Sequence, residues 1–121
     1  MRLLMDAVKK SLIEAFTVLR KNKAVSEPHR FMIMLVLLLN GEIEFTKLQR
    51  LLSLTPGNLD HHIRKLINTG HVTKEKIYSC RLLTIITITS KGMEAFINYS
   101  RMLKILLNQA NPGASLSMVT K

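Results

Sequence analysis

Five residues in one short stretch have side chains suited to gripping a polyanion: Thr55, Asn58, His61, Arg64 and Lys65. Arg64 and Lys65, three and four residues after His61, share one side of a helix with it, with Asn58 at the flank of that side and Thr55 just before the first turn. Amide and imidazole groups pair with base edges, a guanidinium reads guanine or holds phosphate, and an ammonium or hydroxyl holds phosphate. Asn58 and His61 are therefore candidates for base contact, Arg64 for either role, and Lys65 and Thr55 for phosphate. The start of such a helix adds free N–H groups and the positive end of its dipole. Further along, Lys74 and Lys76 lead to Arg81, a candidate for a minor groove. Asp60 opposes groove binding unless it caps the helix, and the bland alternative for the whole stretch is a solvated polar face.

Other chemistry finds little support. The four histidines and single cysteine include no Cys-x-x-Cys and no His pair at i, i+4, so no metal site or cofactor is expected. His61 and His62 diverge by about 100° on a helix, and His62, beside the apolar side, is expected to be a half-buried, satisfied histidine. Cys80 lies near Arg81 on an expected hairpin, where a redox switch is conceivable and a quiet thiol is the simpler reading. Asp60 and His61 are consecutive and cannot form a catalytic relay. With no phosphate-cradling Gly-rich loop after a strand and no nucleophile elbow, an enzyme is not expected.

The composition agrees with a partner of opposite charge. Eighteen Lys and Arg against eight Asp and Glu give a net charge of +10 over 121 residues, which attracts nucleic acid or merely aids solubility. Between Lys47 and Lys91 eight basic residues face only Asp60 and Glu75. Apolar residues make up 47%, enough for one core. The longest apolar run, Phe31 to Leu39, is nine residues, about half of a membrane span. A lone cysteine and the lack of a signal-like start point to a cytoplasmic, nucleoid-associated protein.

Hydrophobic spacing gives the elements that must position these residues. A helix over 3–20 carries Leu4, Val8, Leu12, Ala15, Phe16 and Leu19 on one stripe. A polar connection follows, then Ser26 as N-cap and Pro28 open a helix that runs to Asn40, apolar nearly all round and so expected to be the most buried. Gly41 ends it. Glu42–Glu44 is extended, and 45–53 is a short helix offering Phe45, Leu48, Leu51 and Leu52 to the core. After a break at Leu54 and Thr55, Thr55 caps a helix with Pro56 at its first position and Gly70 past its end. Leu59, Ile63, Leu66 and Ile67 share its apolar side, opposite Gly57, His61, Arg64, Lys65 and Asn68. Two strands follow, 71–78 and 83–89; Val72 and Ile77 fall on opposite faces of the first unless it is bulged, and Ile86 and Ile88 share one face of the second. A last helix runs from Thr89 or Ser90 to Ala110, and 111–121 is expected to be a flexible tail.

Two short helices joined by a tight turn and followed by a hairpin is the order of a winged helix-turn-helix. The stretch LTPGNLDHHIRKL from Leu54 to Leu66, continued by Ile-Asn-Thr-Gly-His-Val, resembles the recognition helix and first wing strand of archaeal and bacterial regulators of the MarR/ArsR type. The resemblance takes in Phe45 and Leu48, then Leu83-Thr84 and Thr89-Ser90-Lys91-Gly92, and covers about residues 28–100. It implies a mainly α fold with a small β-hairpin (α+β). A single winged-helix domain is expected over 1–110, with a core of 26–92 and terminal helices at 3–20 and 90–110. It also implies duplex DNA as partner and pairing of the terminal helices in a homodimer, through Leu4, Val8, Leu12, Phe96, Leu103 and Leu107. The wing departs from the pattern, since Arg81 alone is charged at its tip and Leu82 and Leu83 look suited to covering the core. The expected function is a DNA-binding transcriptional regulator, a repressor, with helix 56–69 in the major groove. A weakly specific architectural DNA-binding protein and a protein-interaction module are the alternatives, and nothing announces an effector pocket.

Overall fold

The computed structural model describes residues 2–110; the expected tail, 111–121, lies outside the described residues. Nine elements follow one another: α1 (Arg2–Lys21), α2 (Lys23–Ser26), α3 (Pro28–Asn40), β1 (Glu42–Glu44), α4 (Phe45–Leu52), α5 (Pro56–Asn68), β2 (Val72–Tyr78), β3 (Leu82–Ile88) and α6 (Ser90–Ala110). The described residues sort into two compact units, one of residues 23–96 and one of residues 2–22 with 97–110. Among the described residues no helix is long and apolar enough to cross a membrane.

The larger unit is built around an antiparallel sheet of order β1-β3-β2. Its register runs unbroken from Val72 opposite Ile88 to Tyr78 opposite Leu82, with no bulge. Alternation therefore puts Val72 inward and leaves Ile77 exposed on the other face. Ile86 and Ile88 are buried, as their spacing predicts. Against them pack Val25 of α2, Ile33, Met34 and Leu37 of α3, Leu48 of α4, Leu59, Ile63 and Leu66 of α5, and Phe96 of α6.

Several local expectations are corrected here. The connection before α3 contains the short helix α2, whose Val25 is fully buried. The cap of α3 is Glu27, whose carboxylate accepts from the Arg30 amide at 2.9 Å, while Ser26 ends α2. Helix α3 buries one side only: Met32, Leu35 and Leu39 are exposed, Leu39 to 76%. Leu51 is likewise exposed, and Leu48 fills the core position of α4. Ser53 closes α4 in the left-handed region (φ 54) instead of belonging to the helix. Its amide donates to Arg50 and that of Leu54 to Gln49, so the tight turn begins one residue earlier than the sequence pattern predicts. Phe96, expected on a dimer face, is 2% exposed and packs against Phe31 with ring centroids 5.0 Å apart, because the start of α6 belongs to the core.

The end of α5 is tied to the start of α6. Gly70 (φ 77) follows the C-cap Thr69, its amide donating to Ile67 and the His71 amide to Leu66, both at 2.9 Å. The Thr89 hydroxyl donates to the Gly70 carbonyl at 2.6 Å and accepts from the Gly92 amide at 2.9 Å, capping α6. The Thr89 amide donates to the His71 carbonyl at 3.0 Å. The His71 side chain is buried beside Thr69, and burial, then the charge of Lys91, lowers its pKa.

In the smaller unit Ala15 and Tyr99 are buried while Leu12, Ile13, Phe16, Ile105 and Leu107 are exposed. The side chains of Leu4 and Val8 lie outside the described ones.

A Cβ at Gly92 would lie 2.1 Å from the His71 carbonyl oxygen, which is backbone and cannot step aside. Gly92→Ala is expected to cost about 3 kcal/mol or more, read as a lower urea midpoint; an unchanged midpoint would show that the approach is not tight in solution.

Candidate nucleic-acid interface

Helix α5 presents two opposed sides. Leu59, Ile63 and Leu66 are fully buried, which fixes the rotation of the helix and turns Gly57, Asn58, His61, Arg64, Lys65 and Asn68 to solvent. Thr55 is exposed and caps the helix, its hydroxyl accepting from the Asn58 amide at 3.2 Å, while the Leu59 amide donates to the Thr55 carbonyl. Pro56 has no N–H, so the Gly57 amide is the donor left in the first turn. A Cβ at Gly57 would meet nothing within 4 Å. The fold does not require glycine there.

Asp60 is no cap. Its carboxylate accepts from Arg64 Nε at 2.9 Å, one turn along, and lies 3.7 Å from Lys74 Nζ on β2. It thereby links the first wing strand to α5. With Arg64 so exposed, the pair contributes little stability, and its effect is to orient two cations at one edge of the exposed strip. Lys76 shares the strand face of Lys74, because alternate residues point the same way. Tyr78, on that face at the wing tip, is 82% exposed.

Arg81 is placed differently. It lines a hollow of about 520 Å³ with Glu42, Glu44, Lys47 and Leu83, over the sheet face opposite the one bearing Lys74 and Lys76. The structure thus exposes Thr55, Asn58, His61, Arg64 and Lys65 on α5 and its cap, joins Lys74 to them through Asp60, sets Lys76 on the strand face of Lys74, and leaves Arg81 apart. Leu82, expected to cover the core, is exposed.

A second cluster was not legible in the sequence. His62, only 13% exposed, lies on the flank of α5 against the start of α3. Arg30 Nη1 donates to His62 Nδ1 at 3.2 Å, and Glu27 Oε2 is 3.6 Å from the same nitrogen. Glu27 Oε1 is 2.8 Å from His29 Nδ1, and the two imidazoles stack with centroids 5.1 Å apart. Partial burial alone would raise the Glu27 pKa, but hydrogen bonds from the His29 side chain and the Arg30 and His29 amides hold it at about 2. Burial lowers the pKa of His62 against the opposing pull of Glu27. The half-buried, satisfied character expected of His62 is observed. Nearby, Lys23, Arg30, Lys65 and Asn68 line a hollow of about 300 Å³ at the far end of α5.

A helix-turn-helix made by α4 and α5, followed by a two-stranded wing and with a polar, basic strip on its second helix, defines a winged-helix DNA-binding protein. The chain belongs to the winged helix DNA-binding domain family, which it matches over residues 29–107. It is similar to a transcriptional regulator homologue from Pyrococcus horikoshii OT3, with 35% identity over 81% of this chain and 98% of that one, at a TM-score of 0.77. An uncharacterized protein of Methanocaldococcus jannaschii is 51% identical over 57 residues, 46% of this chain. The chain spans 62% of the length of that relative. The fold is shared with a MarR-family regulator from Rhodococcus sp. RHA1, at 12% identity over 98% of this chain and 84% of that one, with a TM-score of 0.63. It is shared also with the overoxidized AbfR bound to DNA, at 20% identity over 98% and 89%, with a TM-score of 0.64.

Because Asp60 sets one negative charge among the exposed cations, Asp60→Asn is expected to tighten binding to a random duplex by about threefold or more at low salt. Fluorescence anisotropy against salt checks this. A weaker complex would mean that Asp60 acts mainly by holding Arg64 in place.

Proposed function

We propose that the protein is a sequence-specific transcriptional regulator, a repressor, that binds duplex DNA as a homodimer with α5 in the major groove. The observation that carries this reading is Gly57, set among exposed polar and basic residues at the start of α5 with free space around it. Glycine there lowers helix propensity with no return inside the fold. A phosphodiester backbone drawn close to the free Gly57 amide supplies the missing reason. Asn58 and His61, next along the strip, reach base edges; Arg64 reads guanine or holds phosphate; Lys65, Lys74 and Lys76 neutralise phosphates, with Thr55 at the helix start. The DNA-bound neighbour and the regulator homologue support the same reading. Arg81, set over the opposite sheet face, is the weakest of the expected contacts.

The homodimer rests on the smaller unit. Exposed Leu12, Ile13 and Phe16 on α1, and Ile105 and Leu107 on α6, form apolar surface of the kind that association covers, and Leu103 is half-buried beside them. A two-fold operator requires such pairing. A protein of this kind works at the nucleoid, in the cytoplasm.

Selection of bound fragments from a random DNA pool tests the function. An inverted repeat with half-sites about one helical turn apart is the expected result. Steep salt dependence without enrichment would make the protein architectural, and absence of binding would point to a protein partner. Gly57→Ala is expected to leave the melting temperature unchanged or raised while weakening the selected complex severalfold; equal affinity would remove the close approach. Leu107, 68% exposed, tests the pairing: Leu107→Glu is expected to halve the mass seen by light scattering without loss of helical signal. A wild-type chain already monomeric would remove the interface.

A further inference from the structure

The cluster at the start of α3 has the composition of a ligand set. Glu27, His29 and His62 each offer one donor atom, and the three atoms lie within 4.8 Å of one another. Two imidazoles with one carboxylate is the donor chemistry of zinc and its borderline neighbours, as opposed to calcium or magnesium, which take oxygen. The spacing is close to what such a cation needs. Ligand atoms about 2.0–2.1 Å from a tetrahedral ion are about 3.3 Å from each other. His29 Nδ1 lies 2.8 Å from Glu27 Oε1 and His62 Nδ1 lies 3.6 Å from Glu27 Oε2, so the two imidazoles address the two oxygens of one carboxylate, and a small rotation of the Glu27 carboxylate presents one oxygen to both.

Proton placement favours it too. An arginine can only donate, so the hydrogen bond from Arg30 requires His62 Nδ1 to carry its lone pair. That lone pair and Glu27 Oε2, which accepts from the Arg30 amide, then lie 3.6 Å apart as two electron-pair donors, the arrangement that a Lewis-acidic cation binds. We propose that Glu27, His29 and His62 form a binding site for a divalent transition cation of the zinc class, joining the N-terminus of α3 to the DNA-reading helix α5. The cation takes the place of the proton between His29 Nδ1 and Glu27 Oε1, which leaves to His29 Nε2 or to solvent. Arg30 Nη1 withdraws from His62, and the guanidinium stays anchored through Nε, which donates to the Ala24 carbonyl at 2.5 Å. Three protein ligands leave one position for water. His29 is more than half exposed, so the ion enters directly from solvent.

The site bears on DNA binding through position. His62 lies between His61 and Arg64 on α5, and a bond from it to α3 restrains the helix that carries them. This second step rests on the proposed DNA reading; the first does not, and the two are measured separately. The full chain, with Cys80→Ser to remove the exposed thiol, is titrated with Zn2+ by calorimetry and with Co2+ by absorption, in the absence of DNA. One equivalent per chain with tetrahedral or five-coordinate Co2+ bands is expected, and His29→Ala should weaken binding by more than about tenfold. Being exposed, His29 can be replaced without disturbing the core; His62→Gln, checked for folding by circular dichroism, should behave alike. No binding, or equal binding by both variants, overturns the site. With DNA present, Zn2+ should change affinity at least about fivefold in the Cys80→Ser chain and not in its His29→Ala derivative. Unchanged affinity in a chain that binds Zn2+ overturns the coupling and leaves the site standing.

Discussion

The rest of the larger unit depends on the contact between the turn after α5 and the first turn of α6. Gly92 lets the His71 carbonyl come within a distance that no side-chain-bearing residue permits. Thr89 then serves both sides, donating to Gly70 and accepting from Gly92. Every element that positions the exposed strip meets here: α5 ends at Asn68 and its turn closes at Gly70, β2 begins at Val72, β3 ends at Ile88 and α6 starts at Ser90. A single net hydrogen bond contributes only about 1 kcal/mol, so the strength of the junction lies in its closeness. Loosening it would release α5 and the wing together.

With its end fixed, α5 has its rotation set by Leu59, Ile63 and Leu66. Burying three such side chains is worth roughly 1.5–3 kcal/mol each, far more than the exposed pairing of Asp60 with Arg64 supplies. The hierarchy matters for recognition. Hydrophobic burial decides which side of the helix faces out, and the ion pairs decide only how the long cationic side chains lie once there. A substitution in the strip can thus alter binding with little effect on folding, whereas one on the buried side disturbs both.

Features governed by neighbours in the chain were legible in the sequence. Thr55, Pro56 and Gly70 mark α5 because capping and termination are local chemistry, and Ile86 and Ile88 mark the buried face of β3 because alternation is local geometry. What escaped depends on the partner. No spacing rule joins Glu27 and His29 to His62, since the fold alone brings α3 against α5. The exposed side of α3 is as apolar as the buried one, so composition could not separate them. Phe96 lies on the same kind of stripe as Leu103 and Leu107, yet its place at the start of α6 puts it against Phe31. Arg81 was grouped with Lys74 and Lys76 by closeness in sequence. The turn at Ser79–Arg81 instead carries it over the opposite face.

The surplus of positive charge and the carboxylate of Asp60 belong to one design problem. A net charge of +10 draws the protein to any duplex, because each neutralised phosphate releases counterions whatever the sequence. Reading a particular site requires the opposite, a low background against which a few base contacts count. Asp60 works in that direction. It holds Arg64 and Lys74 in ion pairs, so any anion that approaches either cation must first displace a carboxylate. Uniform attraction would need no such residue. An acidic side chain held between two cations at the edge of the exposed strip tempers that attraction locally.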